Sequence, residues 1–85
     1  MNVRSKETQV EVIAHFSKEQ KEPIPLRVKA VENGETVVIK VGYVKSVKNL
    51  TYDCLQYECC YLNGDQLKTF SLLYWIKDME WHVNR

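Results

Sequence analysis

From Thr8 onward the chain alternates between apolar and polar positions. Val10, Val12, Ala14 and Phe16 fall on one side of an extended backbone, and Gln9, Glu11, Ile13 and His15 on the other. That period of two predicts a first, half-buried strand. Residues 17–22 are charged and carry no apolar stripe. Pro23 and Pro25 then force extended backbone, which confines that stretch to a strand start or a sheet edge. Residues 26–31 and 36–41 flank Asn33-Gly34, the dipeptide a type I′ hairpin turn favours because both central residues need φ > 0. The implied register sets Ala30 opposite Val37, Val28 opposite Ile39 and Leu26 opposite Val41. Gly42 marks a bulge or sharp bend in the same strand, which continues through Val44 and Val47.

Residues 52–83 predict two hairpins sharing their middle strand. With Asn63-Gly64 at the first tip, Leu62 faces Asp65, Cys60 faces Leu67, Tyr57 faces Phe70 and Leu55 faces Leu72. A second turn at Lys77-Asp78 sets Ile76 opposite Met79, Tyr74 opposite Trp81 and Leu72 opposite Val83. Both turns gather the large apolar residues on one face, whereas a slip of one residue would scatter them over both. Six antiparallel strands with tight turns predict an all-β fold, a small barrel or strongly curved sheet built from β-hairpins. The expectation is one small domain over residues 1–85, with residues 1–7 polar, aperiodic and fraying.

Composition narrows the function classes. The net charge is +1, which exerts no global pull on nucleic acid. Residues 18–48 carry seven Lys/Arg against four Glu, and residues 49–85 carry three against five Asp/Glu. No apolar run approaches the ~20 residues of a membrane-spanning helix, and the N-terminal residues lack a signal-peptide pattern, so the cytoplasm is expected. Three cysteines, an odd number, argue against a disulfide framework. Alternation sends Cys59 inward and Cys54 and Cys60 outward. The last two stand about 20 Å apart at strand rise, so no local metal site forms and no cofactor is expected. Neither a nucleophile-elbow pattern nor a phosphate-binding glycine loop occurs, and His82 reads as solvated surface. A non-enzymatic binding module is expected.

Two surfaces qualify for binding. On the face opposite the core lie Cys54, Cys60, Leu67, Leu73 and Trp75, an apolar set that reads as a protein-protein or homodimer interface anchored on Cys60, Leu67, Leu73 and Trp75. The alternative is a nucleic-acid-binding face of Arg27, Lys29, Lys40, Lys45 and Lys48, with Tyr43, Tyr52 and Trp75 as stacking candidates. Arg27 lands directly opposite Lys40 there, and like charges in apposition cost stability.

The C-terminal run Thr69-Phe70-Ser71-Leu72-Leu73-Tyr74, a short polar turn, then Met79-Glu80-Trp81-His82-Val83 resembles small uncharacterised bacterial all-β domains, some of them encoded near DNA-repair polymerases. The resemblance spans residues 23–83 and rests on core positions. The tryptophan such domains carry in the central strand is replaced here by Tyr43 or Val44. The resemblance implies an all-β fold and no catalytic residues.

Overall fold

The computed structural model describes residues 7–19 and 22–84; of residues 1–7, expected to fray, residues 1–6 lie outside the described residues and Glu7 opens the first strand. The described chain is all-β. Its strands are β1 (Glu7–His15), β2 (Ile24–Glu32), β3 (Glu35–Lys40), β4 (Tyr43–Thr51), β5 (Cys54–Asn63), β6 (Gln66–Trp75) and β7 (Glu80–Asn84). They form one seven-stranded antiparallel sheet in the order β3-β2-β1-β7-β6-β5-β4. The sheet is not closed into a barrel, because β3 and β4, its two ends, do not pair with each other.

The seventh strand arises at Gly42. Val41 N–H donates to the Leu26 carbonyl of β2 at 2.9 Å, and the next amide, Gly42 N–H, donates to the Cys60 carbonyl of β5 at 2.8 Å. The stretch expected to be one bent strand therefore changes partners between adjacent residues and becomes two. A Cβ at position 42 would lie 3.2 Å from the Cys60 carbonyl oxygen, which explains the glycine through close backbone approach. β1 bends in a comparable way. Its residues from Glu7 to Val10 pair with β7, and those from Glu11 to His15 pair with β2. These two bends curl the sheet around its main core, and the molecule measures 35 × 33 × 17 Å.

All seven strands contribute to that core. Val10, Val28, Leu55, Tyr57, Cys59, Leu72, Tyr74 and Trp81 are buried, with Val12, Ala14, Ala30, Ile39, Val44, Phe70 and Val83 packed around them. Trp81 stacks at a tilt on Tyr74 (4.5 Å between ring centroids) and on Tyr57 (5.5 Å). Leu72 and Val28 are fully buried, each worth about 1.5–3 kcal/mol of apolar transfer. The Tyr57 hydroxyl donates to the Pro23 carbonyl at 2.5 Å, tying β5 across the concave side to the head of β2.

The turns explain which expected registers hold. At the β2–β3 turn Asn33 and Gly34 have φ of 52° and 79°, as a type I′ turn requires. Ala30↔Val37, Val28↔Ile39 and Arg27↔Lys40 pair as expected. At the β5–β6 turn only Gly64 has positive φ, 64°. The two-residue loop is Gly64-Asp65, with Asn63 paired to Gln66, a type II′ arrangement that puts glycine first. Partners therefore shift by two positions: Leu62 faces Leu67, Cys60 faces Thr69, Cys59 faces Phe70, Tyr57 faces Leu72 and Leu55 faces Tyr74. An even shift preserves faces, so the inward set survives the change of partners. On β6 and β7, Leu72↔Val83 and Tyr74↔Trp81 pair as expected, while Ile76 and Met79 lie beyond the last pair, Trp75↔Glu80. The intervening turn is held by Asp53, whose carbonyl accepts from Ile76 N–H and whose carboxylate accepts from Lys77 N–H.

Two inward expectations fail at strand ends. Opposite β1, residue Leu26 of β2 has no partner, because Ile13 pairs with Arg27 and Ala14 with Pro25. This bulge, where Pro25 supplies no N–H, turns Pro25 inward and leaves Leu26 exposed. Phe16 lies past the end of β1 and is exposed.

Candidate functional site

The apolar outer face is largely covered. Cys60, Leu73 and Trp75 are only 1%, 2% and 6% exposed. Cys54, Leu73 and Trp75 form a second buried cluster on the side of the sheet away from the main core. Leu67 alone of the four expected anchors is exposed, paired with the still more exposed Leu62 near the β5–β6 tip. The alternation placed these residues on the correct face. What it could not register is that the face is buried, so a contact surface built jointly on Cys60, Leu73 and Trp75 is not presented. His82, expected as solvated surface, is also buried, with its Nε2 3.1 Å from a Glu80 carboxylate oxygen.

The basic residues divide between two parts of the sheet. Arg27 and Lys40 are direct cross-strand partners on β2 and β3. Lys29 reaches Glu11 of β1 at 3.7 Å. Lys45 and Lys48 lie on β4, beyond the change of partners at Gly42, where Lys48 sits opposite Gln56. Of the expected stacking residues Tyr43 and Tyr52 are exposed and Trp75 is buried. Lys77 Nζ lies 4.9 Å from the centre of the Tyr52 ring.

The feature that stands out is β4 itself. Among the described residues it pairs with β5 on one side and with no strand on the other. Apart from half-buried Val44, the other eight of its nine residues are exposed. Register shifts around Lys45 and Leu50 increase the local twist, as bulges do at sheet edges. The first shift lets Val44 and Val47, three residues apart, pair with Cys59 and Tyr57, both core residues. Beside this edge runs a groove of about 720 Å³, lined by Tyr43, Val44 and Val47 on one side and by Pro23, Ile24, Glu19 and Glu22 on the other, with Tyr57 beneath. The Tyr57–Pro23 hydrogen bond holds the two walls in register.

A smaller groove of about 430 Å³ flanks the other half of the bent stretch. It runs between residues 37–40 of β3 and residues 61–63 of β5, which extend past the last β4–β5 pair, Tyr43↔Cys60. Among the described residues, each half of the stretch from β3 to β4 thus has one partner and one open side. Sequence reasoning missed both openings. The available signal was the three-residue spacing of Val44 and Val47, which breaks strict alternation in an otherwise polar strand.

The chemistry around these features is quiet. Cys54, Cys59 and Cys60 are buried thiols that form no disulfide with one another. Burial, helped by the nearby Cys60 and Glu58, pushes Cys59 up to about 12 from its ordinary 9. A hydrogen bond with the Cys60 thiol raises the Tyr43 phenol above its ordinary value. Among the described residues no group of three or more His, Cys, Asp or Glu could hold a metal ion, and no helix is long and apolar enough to cross a membrane. Because all three thiols are buried and a reagent must reach the sulfur to react, a thiol reagent at pH 8 should leave all three cysteines unmodified in the folded protein and modify all three in denaturant. Rapid labelling of any of them in the native state would contradict this packing. The same Cys59 shift removes stability at high pH. The folded state keeps its proton between pH 9 and about 12 while the unfolded chain loses it, so that contribution is complete below pH 9 and declines above it.

Comparison with known proteins finds no matching family model, no matching curated protein and no matching solved structure.

Proposed function

We propose that this protein is a non-enzymatic interaction module that receives an extended segment of a protein partner along the open edge of β4. The observation that carries this reading is the nine-residue unpaired edge lying directly beside an apolar groove. An unpaired edge presents N–H and C=O groups that template another strand. Recognition by strand addition takes affinity from those main-chain bonds and specificity from pockets for alternate side chains. Val44, Val47 and Tyr57 supply such a pocket. Lys45 and Lys48 on the same strand are the kind of residue that keeps an edge from pairing indiscriminately.

The reading keeps the protein-interaction class expected from the sequence and moves its surface from the covered outer face to the edge. A displayed library of random eight-residue peptides tests it. Selection should enrich proline-free peptides with alternating apolar residues, and Val47→Glu should weaken their binding at least tenfold while the far-ultraviolet circular dichroism stays unchanged. Failure to enrich, or equal binding to Val47→Glu, would overturn it.

A second reading, nucleic-acid binding, is favoured by the Arg27–Lys40 pairing, an unfavourable apposition that a phosphate between the two cations would relieve. Its mark would be oligonucleotide affinity that falls steeply with salt.

A further inference from the structure

We infer that the β4 groove selects a two-faced segment, with apolar and basic side chains on the side entering the groove and carboxylates on the other. This inference rests on the strand-addition reading and specifies the partner's chemistry. Side chains of an added strand alternate between the two faces of the sheet. On the groove side they would meet Val44, Val47 and Tyr57, and then the carboxylates of Glu19 and Glu22 on the opposite wall.

Neither Glu19 nor Glu22 has an ion-pair partner among the described residues. Glu22 lines the same groove as Tyr57, and its charge adds to burial in raising the phenol's pKa. A cation arriving there meets a carboxylate that no described residue pairs with, beside an apolar surface where a lysine or arginine stem also packs well.

On the opposite side the environment reverses. Lys48 pairs with Gln56 and Ser46 with Glu58, so both point away from the main core, and Lys45 is exposed in the bulge beside them. Neither lysine has an ion-pair partner among the described residues. Opposite charges on directly neighbouring strands stabilise pairing and like charges oppose it, so a strand laid against β4 does best with carboxylates on this face. The two faces together discriminate against the charge-swapped segment twice.

Two labelled peptides test the inference by fluorescence anisotropy at low salt. Thr-Val-Glu-Lys-Glu-Val-Thr puts Val, Lys and Val on one face and its two glutamates on the other, and reads the same in either direction. Thr-Val-Lys-Glu-Lys-Val-Thr is its charge-swapped counterpart. The first should bind at least ten times more tightly than the second. The double change Lys45→Glu with Lys48→Glu should reduce that preference severalfold, as should Glu19→Gln with Glu22→Gln. Equal binding, or a preference for the swapped peptide, would overturn the charge assignment while leaving strand addition intact. Failure of both peptides to bind a protein shown by light scattering to be monomeric would overturn both. A dimer that dissociates on Val47→Glu would identify the occupant as a second copy, and overturn the inference.

Discussion

Tyr57→Ala should destabilise the fold by about 3–5 kcal/mol, the range for removing a buried aromatic side chain, out of a total of roughly 5–15 kcal/mol for a domain. Tyr57 is 1% exposed, pairs with Leu72 and Val47 on its neighbouring strands, touches Trp81 and anchors Pro23. Its loss opens a cavity and frees one wall of the groove in the same step. Tyr57→Phe separates the two effects. The ring stays and the Pro23 carbonyl loses its donor, which should cost about 1 kcal/mol, and up to about 3 if that carbonyl finds no water. Burial, and after it the charge of Glu22, raises the Tyr57 phenol above its ordinary value of 10. The wild-type protein should therefore lose stability above pH 10, where the unfolded chain ionises and the folded one resists. Tyr57→Phe should lack that share of the alkaline loss. Urea unfolding at pH 7 and at several values above pH 10 measures all of this. A neutral Tyr57→Ala would contradict the core assignment.

Trp75→Glu should cost more than about 3 kcal/mol and leave little folded protein, because it removes a buried indole and puts a carboxylate in its place. Trp75 packs with Cys54 and Leu73 in the second buried cluster and is directly opposite Cys54 and Glu80 on adjacent strands. The new carboxylate would stand across from the existing one, adding like-charge repulsion. Had Trp75 been an exposed anchor, the same substitution would give a stable, folded monomer. Denaturant midpoint and light scattering, taken together, separate the cases. A folded Trp75→Glu protein with an unchanged midpoint would restore the outer face as a contact surface.

Much of the fold was legible because strand faces depend on parity. Asn33-Gly34 pinned β2 against β3, and the Arg27–Lys40 apposition followed. Asn63-Gly64 suggested the wrong turn, since Gly64 leads a type II′ loop, yet the two-position shift left Leu55, Tyr57 and Leu72 facing inward. Gly42 announced a bend without revealing that Val41 and Gly42 bond to different strands, a tertiary fact with no local marker. That change of partner turned six strands into seven and left the curled sheet open. Exposure was less legible than facing. Leu73 and Trp75 point away from the core as expected, but whether a second face is covered depends on packing that alternation does not encode. The groove was hidden for the same reason: Pro23, Glu22 and Val47 are distant in sequence and meet only because the sheet curls.

Residue-resolved amide hydrogen exchange, with and without the Thr-Val-Glu-Lys-Glu-Val-Thr peptide, tests the open β4 edge most directly. In the free protein some β4 amides should exchange quickly, because one side of the strand lacks a partner. On adding peptide at saturating concentration, those alternate β4 amides should slow as their N–H groups acquire acceptors, with the β6 amides unchanged. Uniformly slow exchange along β4 before any addition, or protection confined to the region around Arg27 and Lys40 or around Leu67, would contradict the account.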